Sequence, residues 1–357
     1  MQVRGGVLTT LILLQRKDDA KSTHIGSSME EKMFARKKLG LAVVVAILCL
    51  IIAACTAATE TPIPEETGVI KLVEQDWTGQ VVTTYLAKVI LEEEMGYDVE
   101  LVFVPGDSPA QWTGMATGDV DGNLELWPTY NDAGIKEFID EKKVAKSLGE
   151  LGVIGGSGWF VPTYVIEGDS ERGIEPVAPD LKSWEQLNQY KDLFATAETG
   201  DKGRLLGGVA GWETRNAERI EALGLEFERI YAGSEGALIA EAIAAYDRGD
   251  PILFYLWTPH WFFAQYPSTE IELPPYSDEC WETDFGCDWA DDVVFKAFRV
   301  GFEDDFPRAT EFIKNYWLTN EQQAQMMVAV DVDGLSPEEA VKQWMAENEE
   351  IWKAWIP

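Results

Sequence analysis

The chain has 357 residues with 46% hydrophobic side chains, and its 62 acidic against 29 basic residues give a formal net charge of -33. That length suffices for two α/β lobes with sizeable cores. The acidity excludes a nucleic-acid partner gripped through its phosphates, which needs a basic face, and leaves cationic solutes or a plainly solvated exterior as its readings.

In chain order, Arg36, Lys37 and Lys38 precede the apolar run from Leu39 to Ala54, which ends in small residues before Cys55. This is the order of an export signal. Ile52-Ala53-Ala54-Cys55 resembles a lipobox, which implies cleavage before Cys55 and a lipid on its thiol. Residues 1–54 then read as leader and signal peptide, and the body is expected outside the cytoplasm, anchored to the outer face of the membrane. An uncleaved membrane helix is the alternative, although the run is short of the ~20 residues that a span needs. Residues 55–68, rich in Thr, Pro and Glu, read as a flexible tether. With Cys49 in the leader and Cys55 lipidated, Cys280 and Cys287 are the pair left in the body. They bracket a turn-rich loop and are expected to form a disulfide rather than a zinc site, for which no further ligand lies near.

The body begins with a strand at Val69 to Glu74, a turn at Asp76-Trp77-Thr78-Gly79, and a helix from Gln80 to Glu94 with Val82, Leu86, Val89 and Ile90 on one face. A strand from Asp98 to Val104 completes a βαβ unit, so the sheets are expected to be mainly parallel. Helix Asp107 to Thr117 and strand Asn123 to Leu126 follow, ending at Trp127-Pro128. Gly155-Gly156-Ser157-Gly158 reads as a break leading into a second lobe. That lobe shows helix Ser183 to Tyr190, strand Gly207 to Ala210, and helices Glu213 to Leu223 and Ile239 to Asp247. From about residue 260 the chain reads as helical. The predicted division is 69–159 with 259–357 as lobe 1, and 160–258 as lobe 2, with a ligand cleft between them.

The most informative stretch is Pro251 to Phe262, PILFYLWTPHWF, a buried strand that stops at Thr258-Pro259 among aromatics. Trp77 and Trp127 also follow short apolar strands, and strand ends are where open α/β sheets keep ligands. GGVAGWETRN lacks the spacing and the Lys of a phosphate loop. The amides near Glu213 and Thr214 could hold an anion at a helix start, or simply cap the helix. A His-based triad would rest on His260 alone, without a GxSxG motif, so an enzyme is not expected.

The Trp77 turn, GDVDGNLELWP, PILFYLWTPHW and the tail KAFRVGFEDDFPRATEFIKNYWLT together resemble the substrate-binding proteins of glycine betaine and related quaternary ammonium ABC transporters, over about Val69 to Pro357. The resemblance implies a type II periplasmic-binding fold whose two lobes close on the ligand. It implies Trp77, Trp127 and Trp257 as a box for the trimethylammonium head, and amides between Gly211 and Thr214, with Trp212 and Glu213 in that loop, as the carboxylate grip. Tyr164 is similar to an aromatic that some members add, and His260 orients its loop or donates to the ligand. An acid two residues after the first box Trp marks choline-selective members; here that position is Gly79, which disfavours choline. A permease and an ATPase are the implied partners of a monomer that needs no cofactor or metal. A carbohydrate-binding or carbohydrate-active lipoprotein, using the same Trp residues as sugar platforms, is the alternative.

Overall fold

The computed structural model describes residues 68–212 and 214–357; the leader, the tether with Cys55, and Glu213 lie outside the described residues. Strand β1 (Val69–Glu74) pairs in parallel with β2 (Asp98–Phe103) on one side and β3 (Gly122–Leu126) on the other. Helix α1 (Thr78–Val89) crosses between β1 and β2, with Val82, Leu86 and Val89 buried at i, i+4 and i+7. A wider turn at Ile90–Glu94 carries it to Gly96, whose φ of 80° turns the chain away. Helix α2 (Ala110–Thr117) stops at left-handed Gly118, and α3 (Pro128–Gly134) starts with proline in its first turn directly after β3.

Next comes β4 (Ala145–Pro162), an 18-residue strand that belongs to both sheets. Strands β5 (Gly203–Val209), β6 (Phe227–Ala232) and β7 (Leu253–Thr258) follow, with α4 (Asn216–Ala222) and α5 (Glu235–Arg248) between them. After β8 (Ser268–Glu270) and β9 (Asp292–Arg299) the chain ends in helices, among them α6 (Asn320–Asp331) with its Thr319–Gln322 capping box. From Ala145 to Gly155, β4 pairs antiparallel with β9; from Gly156 to Phe160 it pairs antiparallel with β7. The orders are therefore β2-β1-β3-β9-β4 and β4-β7-β5-β6, with β8 on the end of β4.

Several expectations are corrected. Pairing within β2-β1-β3 and within β6-β5-β7 is parallel, but β4, β8 and β9 add antiparallel ladders, so the sheets are mixed rather than mainly parallel. The glycines at 155, 156 and 158 do not interrupt the strand: they lie inside β4, where it passes from its β9 partner to its β7 partner. The chain after residue 260 is not all helical, since β9 runs between β3 and β4. The second-lobe helix begins at Asn216, not Glu213, behind Arg215 at φ 55°. As expected, Cys280, in the short helix Asp278–Trp281, is joined to Cys287 by a disulfide.

Candidate solute-binding site

Four indoles stand at the carboxyl ends of four strands: Trp77 after β1, Trp127 after β3, Trp212 after β5, and Trp257 near the end of β7. All four line one cavity. Trp212 stands edge-on to two of the others, its ring centroid 6.3 Å from Trp77 at 83° and 5.2 Å from Trp257 at 81°.

Carboxylates hold three of these rings by their nitrogens. Glu125 Oε1 accepts from Trp77 Nε1 at 2.9 Å and from Trp127 Nε1 at 3.1 Å. Its Oε2 accepts from Thr83 Oγ1 at 2.9 Å and from Gln323 Nε2 at 2.7 Å. Glu125 is 1% exposed and does not line the cavity, so it is a buried brace rather than a solvated acid. Burial pushes its carboxyl pKa above the usual range, and the four donors pull it back. Asp76 plays the matching part for Trp212, accepting from its Nε1 at 3.1 Å and from the Gly106 amide at 2.9 Å. Gly155 leaves room for the cage: a Cβ there would stand 2.1 Å from Trp127 Cζ3.

Beside the indoles, three hydroxyls line the same cavity. Tyr130 Oη lies 2.5 Å from Ser157 Oγ and 3.0 Å from Tyr255 Oη, and Ser157 Oγ lies 3.2 Å from Tyr255 Oη. Burial holds the Tyr130 hydroxyl well above its ordinary pKa and raises that of Tyr255 to about 12, so both remain O–H donors at neutral pH. Asp107, at φ 57°, and Thr214 complete the lining, which contains no Lys, Arg or His.

Other residues named from the sequence stand elsewhere. Tyr164 is not at the cavity: its hydroxyl donates to the Asp250 carbonyl at 2.6 Å, and its ring packs on Tyr246. Gly211 is exposed and does not line the cavity, and the Thr214 amide is bonded to the Trp212 carbonyl at 2.9 Å. The Trp212 and Thr214 amides are thus engaged within their own loop, while Glu213, the other part of the expected amide grip, lies outside the described residues. His260 is buried behind the cage, edge-on to Trp257 at 5.5 Å. Its Nδ1 accepts the Phe262 amide at 3.1 Å, which puts the ring proton on Nε2, facing Glu235 Oε1 at 3.3 Å. Glu235, His260 and Asp331 cluster closely enough to suggest a cation site, but Nδ1 is occupied and Nε2 carries the proton. The cluster works instead as a hydrogen-bonded joint around Thr78. Glu235 Oε2 accepts from the Thr78 amide at 2.7 Å, and Thr78 Oγ1 lies 2.9 Å from Glu235 Oε2 and 2.8 Å from Asp331 Oδ1.

Tyr130, Ser157, Tyr255 and Asp107 were not singled out from the sequence. A signal existed for two of them. Positions 255 and 257 share one face of a strand, and Tyr130 stands one helical turn from Trp127.

A mixed two-sheet α/β body with an aromatic cage at its strand ends defines a solute-binding protein of the periplasmic type. Residues 68–347 match the family described as the substrate binding domain of the ABC-type glycine betaine transport system. A trimethylamine N-oxide-binding protein of Pelagibacter ubique is 30% identical over 292 residues, covering 78% of this chain and 87% of that one. Among solved structures, a glycine betaine/L-proline-binding protein from Borrelia burgdorferi aligns with TM-score 0.65 at 23% identity, over 81% of this chain and 97% of the other. A lactococcal protein in its closed conformation with glycine betaine aligns at 0.63 and 19% identity, over 82% and 100%. The chain belongs to the family of substrate-binding proteins of ABC-type glycine betaine transport systems, with the type II periplasmic-binding fold, and the carbohydrate reading falls away. Members of this family are extracytoplasmic binding proteins rather than enzymes. Among the described residues no helix is long and apolar enough to cross a membrane.

Proposed function

We propose that Trp77, Trp127, Trp212 and Trp257 enclose the trimethylammonium head of glycine betaine or a close relative, which the protein delivers to an ABC permease and its ATPase. One observation carries this reading: four indoles at four strand ends line one cavity, and two of them hang from a single buried carboxylate. A quaternary nitrogen has no N–H to donate, so ring quadrupoles hold it, at ~0.5 to 2 kcal/mol per ring. Four rings and a few hydroxyl donors are enough for micromolar binding, about -8 kcal/mol. The ligand's negative end faces Tyr130, Ser157 and Tyr255, whose hydroxyls bond one another and turn a hydrogen to the ligand when it enters.

These hydroxyls also favour a second ligand. Trimethylamine N-oxide carries one oxygen directly on its nitrogen and needs O–H donors set close against the cage, with no cation, and the Pelagibacter relative is named for it. Titration of the body with glycine betaine, trimethylamine N-oxide, choline and a neutral sugar, followed by tryptophan fluorescence and heat, tests both. Saturable binding of a trimethylammonium ligand or the N-oxide, lost in Trp257→Ala, is the expected result. Flat traces for all trimethylated ligands from folded protein would end the proposal.

The same proposal keeps two lobes, the first formed by 69–159 with the later part of the chain and the second beginning at 160, but sets the return later than residue 259. Strand β8 pairs with the same end of β4 that pairs with β7, whereas β9 pairs with β3, which supports a return between Glu270 and Asp292. It also keeps a lipid on Cys55 and a monomeric state. Supporting the lipid is the order of charge, apolar run and small residues before Cys55. A Cys55→Ser protein that leaves the membrane fraction, and a single-copy mass in light scattering, are the expected outcomes.

A further inference from the structure

Glu125 does more than tether rings. Its four contacts are two indole N–H groups, a hydroxyl and a side-chain amide, at 2.7 to 3.1 Å. Indole and amide N–H groups donate only, so Trp77 and Trp127 serve Oε1 and Gln323 serves Oε2. The shell therefore offers donors to both carboxylate oxygens, the arrangement that solvates an anion. No Lys, Arg or His shares a hydrogen bond or ion pair with it among the described residues. A buried carboxylate without a counter-cation is costly when the cavity is empty, because neighbouring dipoles screen a charge only in part.

We infer that Glu125 is the fixed counter-charge of the cage, a positioning residue that acts through Trp77 and Trp127, and that the ligand's methylated cation is its missing partner. The inference rests on the proposed function and deepens it. Each indole that donates to a carboxylate becomes richer in electrons over its face, and that face is what attracts a cation. One carboxylate thus sets both the posture and the strength of two walls. It also supplies selectivity: a ligand of the same shape with a neutral carbon in place of nitrogen gains the packing and forgoes the charge.

The test compares glycine betaine with 3,3-dimethylbutanoate, its isostere with carbon at the quaternary centre, on the wild type and on Glu125→Gln. The thermal transition serves as the check of folding. The expected result is a rise in the betaine Kd of roughly ten- to hundredfold, about 1.4 to 2.8 kcal/mol, with the isostere's Kd changed less than threefold. An unchanged betaine Kd, or an equal loss for both ligands, overturns the inference and leaves Glu125 a mere brace. Should Glu125→Gln fail to fold, Thr83→Val removes one donor and leaves both indoles bonded. It raises the carboxyl pKa further, so the pH at which betaine affinity falls moves upward, and an unmoved profile is the contrary result. Failure of the wild type to bind any trimethylated ligand would instead count against the proposed function, since these comparisons are read as differences from it.

Discussion

Gly155 has no side chain because Trp127 occupies the space, and this gives a sharp test of the cage. In Gly155→Ala the new methyl would meet the six-membered ring at 2.1 Å, so ring or strand must shift. Overpacking of that kind costs ~1 to 3 kcal/mol. We expect that loss in urea unfolding, together with at least a tenfold weaker betaine affinity, whereas Gly149→Ala, with no atom near its Cβ but φ at 102°, should cost stability alone. Three of the four cage tryptophans were marked by position in the sequence, each beyond a short apolar strand. Trp212 stood in a loop assigned to amides, and only the fold shows its ring edge-on between Trp77 and Trp257. Glu125 was readable only as an acid near a box Trp, adding negative potential for a cation or simply solvated, and its bracing role was not. A lone acid in an apolar strand looks like an accident until its partners converge from α1, α3's entry and α6, contributed by Thr83, Trp127 and Gln323.

At the scale of elements, α1 was readable from Val82, Leu86 and Val89, yet its start was not, because its cap is not local. No side chain of its own caps it, and the acceptor is Glu235 from the first turn of α5, 157 residues away. Glu235→Ala should therefore cost about 1 to 2 kcal/mol, the worth of an N-cap, read as a lower denaturation midpoint. Glu235→Gln, which keeps an acceptor for the Thr78 amide, should cost less. Strand β9 escaped the periodicity reading for a related reason. It buries Asp292 at its start and Lys296 at its centre, so the polar–apolar alternation that marks a strand is overwritten. Lys296 is tolerated because its ammonium donates to the Tyr316 carbonyl at 2.6 Å, although burial lowers its pKa to about 8.

For the whole molecule these buried acids predict an unusual pH response. Burial raises Asp292 from 3.8 to about 6, against the pull of its bond from the Thr129 amide. Burial, and then the charge of Glu235, raises Asp331 as well. An acid whose pKa is raised by folding binds more protons in the native state between its two pKa values, so its contribution is present below pH 4 and is lost as pH rises through about 6. The wild-type stability minus that of Asp292→Asn should fall by about 2 to 3 kcal/mol between pH 4 and pH 7. Urea titrations at the two pH values measure it, and a flat difference would contradict the assignment.

The joint at Thr78 has a consequence for how the chain opens. Amide hydrogens in the first turn of a helix ordinarily trade with solvent quickly, because a turn can fray without disturbing anything else. The Thr78 amide cannot fray alone, since its acceptor belongs to α5 and the hydroxyl beside it is shared with α6. Its deuterium uptake should be slow, set by separation of these distant segments rather than by the end of α1. A ligand that holds the cage shut should slow it further, which makes this one amide a reporter of breathing between the halves of the protein.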